Sequence, residues 1–288
     1  MLARLAGLCL TGLAACAAAV AAQAPAGPAI VPLDLSGPRP IAMLKVGEGA
    51  PVPVIFDTGA SGHVLDSDFA RTAGLPEEGA AHVGTPAGGP PMIGFRTRVT
   101  GLLGDASLAN VPAVALPMPA MRGLSVSGVF GPSTFSGRLV HLDLARSQIR
   151  VTDRTPETIP AGAPYPYSDD GPRSLPAMTV EIGGRSFDAH IDTGNPGLLT
   201  FPTALAESLP LDGPLRPRNP ARLADGVPRN AFDARLRGTV RVGPLTFENP
   251  EVRFMDGLRR VNVGMAALRG STIVLDPEQR RSWLIPNS

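Results

Sequence analysis

The chain has 288 residues, with 26 basic and 25 acidic side chains and a formal net charge of +1. So even a balance supplies no field for nucleic acid or an anionic membrane surface. Its two cysteines, Cys9 and Cys16, both lie in the first 16 residues, which leaves the rest without a disulfide, a thiol nucleophile or a thiolate metal site.

Residues 1–24 carry one early arginine, Arg4, an apolar run from Leu5 to Val20, and small residues at Ala22 and Ala24. This reads as a secretory signal cleaved near Ala22. The run is about 16 residues long, short of the roughly 20 that a membrane span needs. Leu13-Ala14-Ala15-Cys16 keeps a second option open, because it resembles a bacterial lipobox in which Cys16 becomes the lipidated first residue. The expectation is a protein of the bacterial periplasm, soluble or lipid-anchored, with no transmembrane segment in its mature form. The remaining length, about 265 residues, can bury a core without covalent staples.

Residues 23–40 are rich in Pro, Ala and Gly and read as a tether, with an edge strand at Ala29 to Leu35. Short apolar or alternating runs follow at 41–46, 52–56, 96–103 and 111–116, then a hairpin over 138–144 and 148–151. Helical signals are few. One short helix is expected over 67–73, capped by Asp66 or Ser67 and stopped by Gly74. The stretch 154–173 contains five prolines and both tyrosines, and reads as a connection between two units. Strands resume at 177–182 and 187–191 across Gly183-Gly184. Pro214 to Pro220 reads as a loop, 236–242 and 245–254 as strands, and 271–283 as a final hairpin. The chain is therefore expected to be all-β, with one lobe over 29–153 and another over 174–285.

The two halves match. Phe56-Asp57-Thr58-Gly59-Ala60 answers Ile191-Asp192-Thr193-Gly194-Asn195, 135 residues later. Val129-Phe130-Gly131 ends 74 residues after Asp57, and Asn262-Val263-Gly264 ends 72 after Asp192. The runs ending in Asp143 and Asp276, and those ending in Gly47 and Gly183, correspond as well. Four matched elements in one order make an internal repeat.

A strand that runs into Asp-Thr-Gly delivers a carboxyl to the rim of a sheet, and the glycine permits a close approach. If two such loops meet about a two-fold axis, Asp57 and Asp192 face each other across a water. Two carboxyls that close cannot both ionise cheaply and share one proton. The charged one can take a proton from water while the other polarises a carbonyl. Neither half could do this alone.

On these residues the chain resembles the bacterial pepsin- and retropepsin-like aspartyl proteases, from about Pro40 to Leu284. The resemblance implies a two-lobed pepsin-like acid protease fold and a monomeric endopeptidase. It implies Asp57 and Asp192 as catalytic residues, supported by Thr58, Gly59, Ala60, Thr193, Gly194 and Asn195. Val129, Phe130, Gly131 and Asn262, Val263, Gly264 would cross beneath the loops, and the two threonines would lock them together. Hydrolysis would use an activated water, with no metal or cofactor, on a peptide or protein substrate lying extended under a hairpin flap. The flap candidates are 84–91, with Gly88 and Gly89, and 224–229, with Asp225 and Gly226.

Three features depart from that pattern. Asn195 stands where the family usually has serine, threonine or alanine; Asn262 stands where an apolar residue is usual; and the first flap candidate has no large side chain. Asn195 and the small flap motivate a rival of another class, an exported peptide-binding or envelope protein that keeps the fold without hydrolysis. Asp143 and Asp276 read as turn partners. The four histidines have no regular ligand spacing, and neither His-Glu-x-x-His nor Gly-x-Ser-x-Gly occurs. His190, two residues before Asp192, points to the same side of its strand and reads as a structural histidine.

Overall fold

The computed structural model describes residues 28–84, 91–118, 123–169, 171, 174–222 and 226–287. The signal region with Cys16 therefore lies outside the described residues, as do Gly88, Gly89 and Asp225.

The first half forms β1 (Ala29–Pro32), β2 (Ile41–Val46), β3 (Val52–Phe56), β4 (Val64–Asp66), β5 (Ala80–Val83), β6 (Met92–Leu103), β7 (Ala106–Leu116), β8 (Gly128–Phe130), β9 (Leu139–Asp143) and β10 (Gln148–Thr152). The second forms β11 (Tyr165–Pro166), β12 (Ala177–Ile182), β13 (Arg185–Ile191), β14 (Leu199–Pro202), β15 (Arg216–Arg222), β16 (Pro228–Arg235), β17 (Thr239–Val242), β18 (Leu245–Glu248), β19 (Glu251–Met255), β20 (Val261–Val263), β21 (Ser271–Asp276) and β22 (Arg281–Pro286). Helix is confined to short pieces. That over Ser67–Thr72 is capped by Asp66, whose carboxylate accepts from the N–H groups of Asp68 and Phe69. No helix among the described residues is long and apolar enough to cross a membrane.

The fold is all-β and two-lobed. In the first lobe the order β2-β3-β8-β4-β7-β6-β5 closes on itself because β6 also pairs with β2. In the second, nine strands run β15-β16-β19-β14-β20-β13-β12-β17-β18. A third sheet, β1-β10-β9-β21-β22-β11, belongs to both halves. Its central pair joins β9 to β21 antiparallel, with Leu142 opposite Ile273 and Val140 opposite Leu275. All five residues of β9 are buried, His141 and Asp143 among them, as the middle position of the strand in this sheet requires. The apolar core is continuous through both lobes, from Val31 to Leu284.

The internal repeat reappears as pairing. β3 runs parallel to β8, β8 antiparallel to β4, and β4 parallel to β7. β13, β20, β14 and β19 repeat those three relations in the same order. Each lobe thereby threads its glycine segment between the strand that enters the Asp-Thr-Gly loop and the strand that leaves it.

Three expectations change, the first being the strand expected over 245–254, which breaks at Asn249 (φ 46°) and Pro250 into β18 and β19. The stretch 214–220 is not simply a loop, since β15 occupies Arg216–Arg222. It tolerates Pro217 and Pro220 because it is an edge strand with a register shift between Arg218 and Ala221. The strand expected over 236–242 is interrupted: Leu236 makes only an isolated bridge to Leu211, and Gly238 at φ 90° turns the chain before β17.

Candidate active site

Each aspartate follows the end of a central strand, and its backbone is tied to the crossing segment of its own lobe. The Asp57 N–H donates to Phe130 O and the Asp192 N–H to Val263 O, both at 2.9 Å. The turn then closes in the same way twice, from the Ala60 N–H to Asp57 O and from the Asn195 N–H to Asp192 O, both at 3.2 Å. Gly131 and Gly264 let the crossing segments come this close. A Cβ on Gly131 would collide with the Ala60 carbonyl, and one on Gly264 would lie 2.7 Å from the Asn195 carbonyl.

Thr58 and Thr193 are fully buried and hold the two loops together. Each backbone N–H donates to the opposite hydroxyl at 3.0 Å. The Thr58 hydroxyl donates on to Ile191 O at 2.7 Å, and the Thr193 hydroxyl to Phe56 O at 2.9 Å. Four hydrogen bonds thus cross between the lobes from two small side chains.

This grip brings the carboxyls together. A Cβ placed on Gly59 would stand 2.7 Å from the Asp192 Cγ and 3.1 Å from the Asp57 Oδ1. A Cβ on Gly194 would fall on the Asp57 carboxyl. The Asp57 Oδ1 accepts from the N–H groups of Gly59 at 2.7 Å and Gly194 at 3.1 Å. The Asp192 Oδ1 accepts from the Asn195 N–H at 3.0 Å, and its Oδ2 from the Asn262 amide at 2.6 Å. Burial holds both carboxyls above the usual carboxylate range, and the charge of Asp57 pushes Asp192 further up. Two carboxyls this close do not titrate independently of each other.

Other predicted residues take definite places. The Asn195 side chain spans its turn, with Nδ2 donating to the Thr200 Oγ1 at 2.9 Å and Oδ1 accepting from the Gly197 N–H at 3.0 Å. Ala60 packs beside Val129 in a small apolar cluster. Phe130 is buried beneath its loop and stacks on His63, whose Nδ1 accepts from the Gly131 N–H at 3.2 Å. Burial lowers the His63 pKa to about 4, so the ring is a neutral prop for the crossing segment. The strands on either side of each flap candidate pair antiparallel, Val83 with Met92 and Arg222 with Pro228. Gly226, at φ 70°, belongs to the second turn.

Arg39 was not legible as a site residue. Pro40 O accepts from the Phe56 N–H, which sets Arg39 alongside Asp57, and its Nε crosses to Gly194 O at 2.6 Å. Its positive charge draws Asp57 downward against the larger effect of burial. Among the described residues, no cluster of three His, Cys, Asp or Glu side chains could hold a metal ion.

A family model described as aspartyl protease matches residues 42–134 and 178–270, one segment in each lobe and each spanning its Asp-Thr-Gly loop. The chain belongs to the aspartyl protease family. No curated protein matches it. The two matched segments cover well over half of the chain, and they contain every strand that carries an aspartate loop or a crossing segment. Membership of the aspartyl protease family thus rests on both repeats, and not on one tripeptide.

Proposed function

We propose that this protein is an endopeptidase in which Asp57 and Asp192 share one proton and activate a water against a peptide bond. The observation that carries this reading is the pair of part-buried carboxyls, one from each repeat, that meet at the two loop tips with no larger residue than glycine between them. Two carboxyls in one desolvated site resist a second negative charge, so a singly charged pair persists over a range of pH. In that state one oxygen can accept a proton from water while the partner's proton is held for the carbonyl oxygen of the substrate. The Gly59 and Gly194 N–H groups fix the Asp57 carboxyl, and the Asn195 and Asn262 N–H groups fix that of Asp192. Preorganised donors of this kind need not reorganise as the reaction proceeds.

The substrate on this reading is a peptide or protein segment, extended across the cleft beneath the two hairpins and cleaved without a cofactor. The protein works as a monomer, since one chain supplies both aspartates. The apolar N-terminal region sends it to a bacterial periplasm.

A digest of a peptide library from about pH 3 to pH 8, on wild type, D57N and D192N, tests the mechanism. The expected result is a bell-shaped rate against pH for wild type and none for either variant. Cleavage at the wild-type rate by one variant would refute the paired mechanism. The rival, a peptide-binding protein without hydrolysis, draws on Asn195 and the lack of a large side chain in the sequence of 84–91; it predicts that peptides bind to wild type and survive.

A further inference from the structure

The two walls that flank the aspartates differ in polarity. In the first lobe Ile55, Val129, Val64 and Val114 stand in register across four neighbouring strands. Leu116, Met118 and Val126 belong to the same apolar cluster. At the matching positions of the second lobe the row reads His190, Asn262, Thr200, Arg253, and then Asp233 on β16. Strand alternation puts Ile55 and His190 on the same faces as Asp57 and Asp192. The Asn262 amide bond to Asp192 confirms that direction for the second row. The repeat has kept its backbone and exchanged an apolar wall for a polar one.

The polar wall also carries an excess of positive charge. Asp233 accepts from the Arg218 Nη1 through both oxygens, at 2.9 and 3.0 Å. Arg253 approaches the same carboxylate only to 3.7 Å, beyond hydrogen-bond distance, and its buried Nε has no hydrogen-bond partner. One carboxylate thus serves two guanidinium groups. Burial weighs on the charge of Arg253, as do the charges of Arg218 and Arg39 nearby. A half-buried guanidinium with donors to spare is a receptor for a carboxylate, which it can meet with two parallel hydrogen bonds.

We infer that the cleft selects peptides with an apolar side chain against the first-lobe wall and an acidic side chain against the second-lobe wall, where Arg253 receives the carboxylate. The inference rests on the cleft being the peptide site, and it holds whether or not the peptide is cut. An apolar side chain beside Arg253 would take water from the guanidinium without supplying it a partner. An acidic side chain completes the arginine cluster instead.

Uncleavable reduced-amide peptides test this by calorimetry. Each has leucine on one side of the central bond and Glu, Gln or Leu on the other, in both orders. On wild type, the glutamate peptide in one order should bind about tenfold or more tightly than its glutamine twin, the scale of a charge-assisted hydrogen bond. Arg253→Met should bring that ratio near one and leave the leucine preference of the other side intact. Arg253→Lys should keep part of the ratio, and it serves in place of Arg253→Met if that variant does not fold. Equal binding of Glu and Gln peptides by wild type would overturn the inference, as would a ratio unchanged in Arg253→Met. Binding with the stated preference but no cleavage of ordinary peptides would sink the proposed hydrolysis alone; cleavage with no acidic preference would sink only this inference.

Discussion

Asn262 donates its amide to the Oδ2 of Asp192 at 2.6 Å, whereas the equivalent position in the first lobe is Val129, which offers no donor. A donor to a carboxylate favours its charged form. Removing it with Asn262→Val should therefore move both limbs of the pH–rate profile upward. A hydrogen bond to a charged group is worth about 1.5–3 kcal/mol, so the shift should be on the order of one to two pH units. Initial rates on one peptide across pH check this. Limbs that stay where they are would reduce Asn262 to a packing residue.

The crossed threonines should dominate the stability of the cleft floor. Thr58→Val keeps the shape but removes a hydroxyl that donates to Ile191 O and accepts from the Thr193 N–H. Two buried backbone groups then lose their partner, at a cost of about 2–4 kcal/mol. Thr58→Ser retains the hydroxyl and should lose about 1 kcal/mol or less. Urea denaturation of the two variants side by side separates hydrogen bonding from packing.

Folding stability should carry the signature of the carboxyl pair. Both native pKa values lie above the unfolded value of 3.8, so the native state holds more protons than the unfolded state once the pH passes that value. Stability from this source is complete below the unfolded value and is lost as pH rises through the native values. His63 and His141 act in the opposite sense. Burial lowers each to about 4, and their contribution is lost as pH falls from about 6.5 toward that value. The difference between wild type and D192N isolates the carboxyls, and wild type should lose ground against the variant as pH rises. A difference independent of pH would contradict the coupled pair.

Space at the loop tips makes another test. Gly59→Ala would put a methyl group 2.7 Å from the Asp192 Cγ, and Gly194→Ala one against the Asp57 carboxyl. Either should reduce hydrolysis to about 1% or less, because a misplacement on the order of 1 Å costs about a hundredfold. Gly37→Ala, with nothing within 4 Å of its Cβ, should leave the rate unchanged. The three rates, measured on one peptide, settle whether closeness of the loops matters.

Away from the cleft, Asp276 is fully buried, with Arg154 at 3.0 Å and Arg281 at 2.9 Å, and its Oδ1 caps the following turn at the Gln279 N–H. Asp276→Asn should cost about 3 kcal/mol by leaving two guanidinium groups without their counter-charge. The repeat partner Asp143 pairs with the exposed Arg146, and Asp143→Asn should cost about 1 kcal/mol or less from that pair. Thermal melts of both variants check the contrast.

What could be read from the sequence was whatever the repeat stated twice. Asp57 with Asp192, Thr58 with Thr193, and Gly131 with Gly264 occupy matched positions, and matching supplies the long-range contact that a single motif cannot. Arg39, Thr200 and Arg253 were not legible, since each reaches the cleft through strand registers between segments far apart in sequence. Asn262 looked like an irregularity of a pattern, and His190 like a structural histidine. They are in fact opposite one another on β20 and β13, a polar pair where the first lobe has Val129 and Ile55. β15 was hidden by its prolines, which an edge strand accommodates and a central one does not.

The sheet shared by both halves constrains how the molecule can be made. β9 is complete at residue 143, yet the partner for its open side, β21, begins only at Ser271. A growing or truncated chain that ends before then presents Leu139 to Asp143 as an edge of unpaired backbone groups, the kind of surface on which strands from different molecules add to one another. The first lobe expressed alone should therefore associate with itself through β9, and the C-terminal half supplied in trans should compete for that edge and dissolve the self-association.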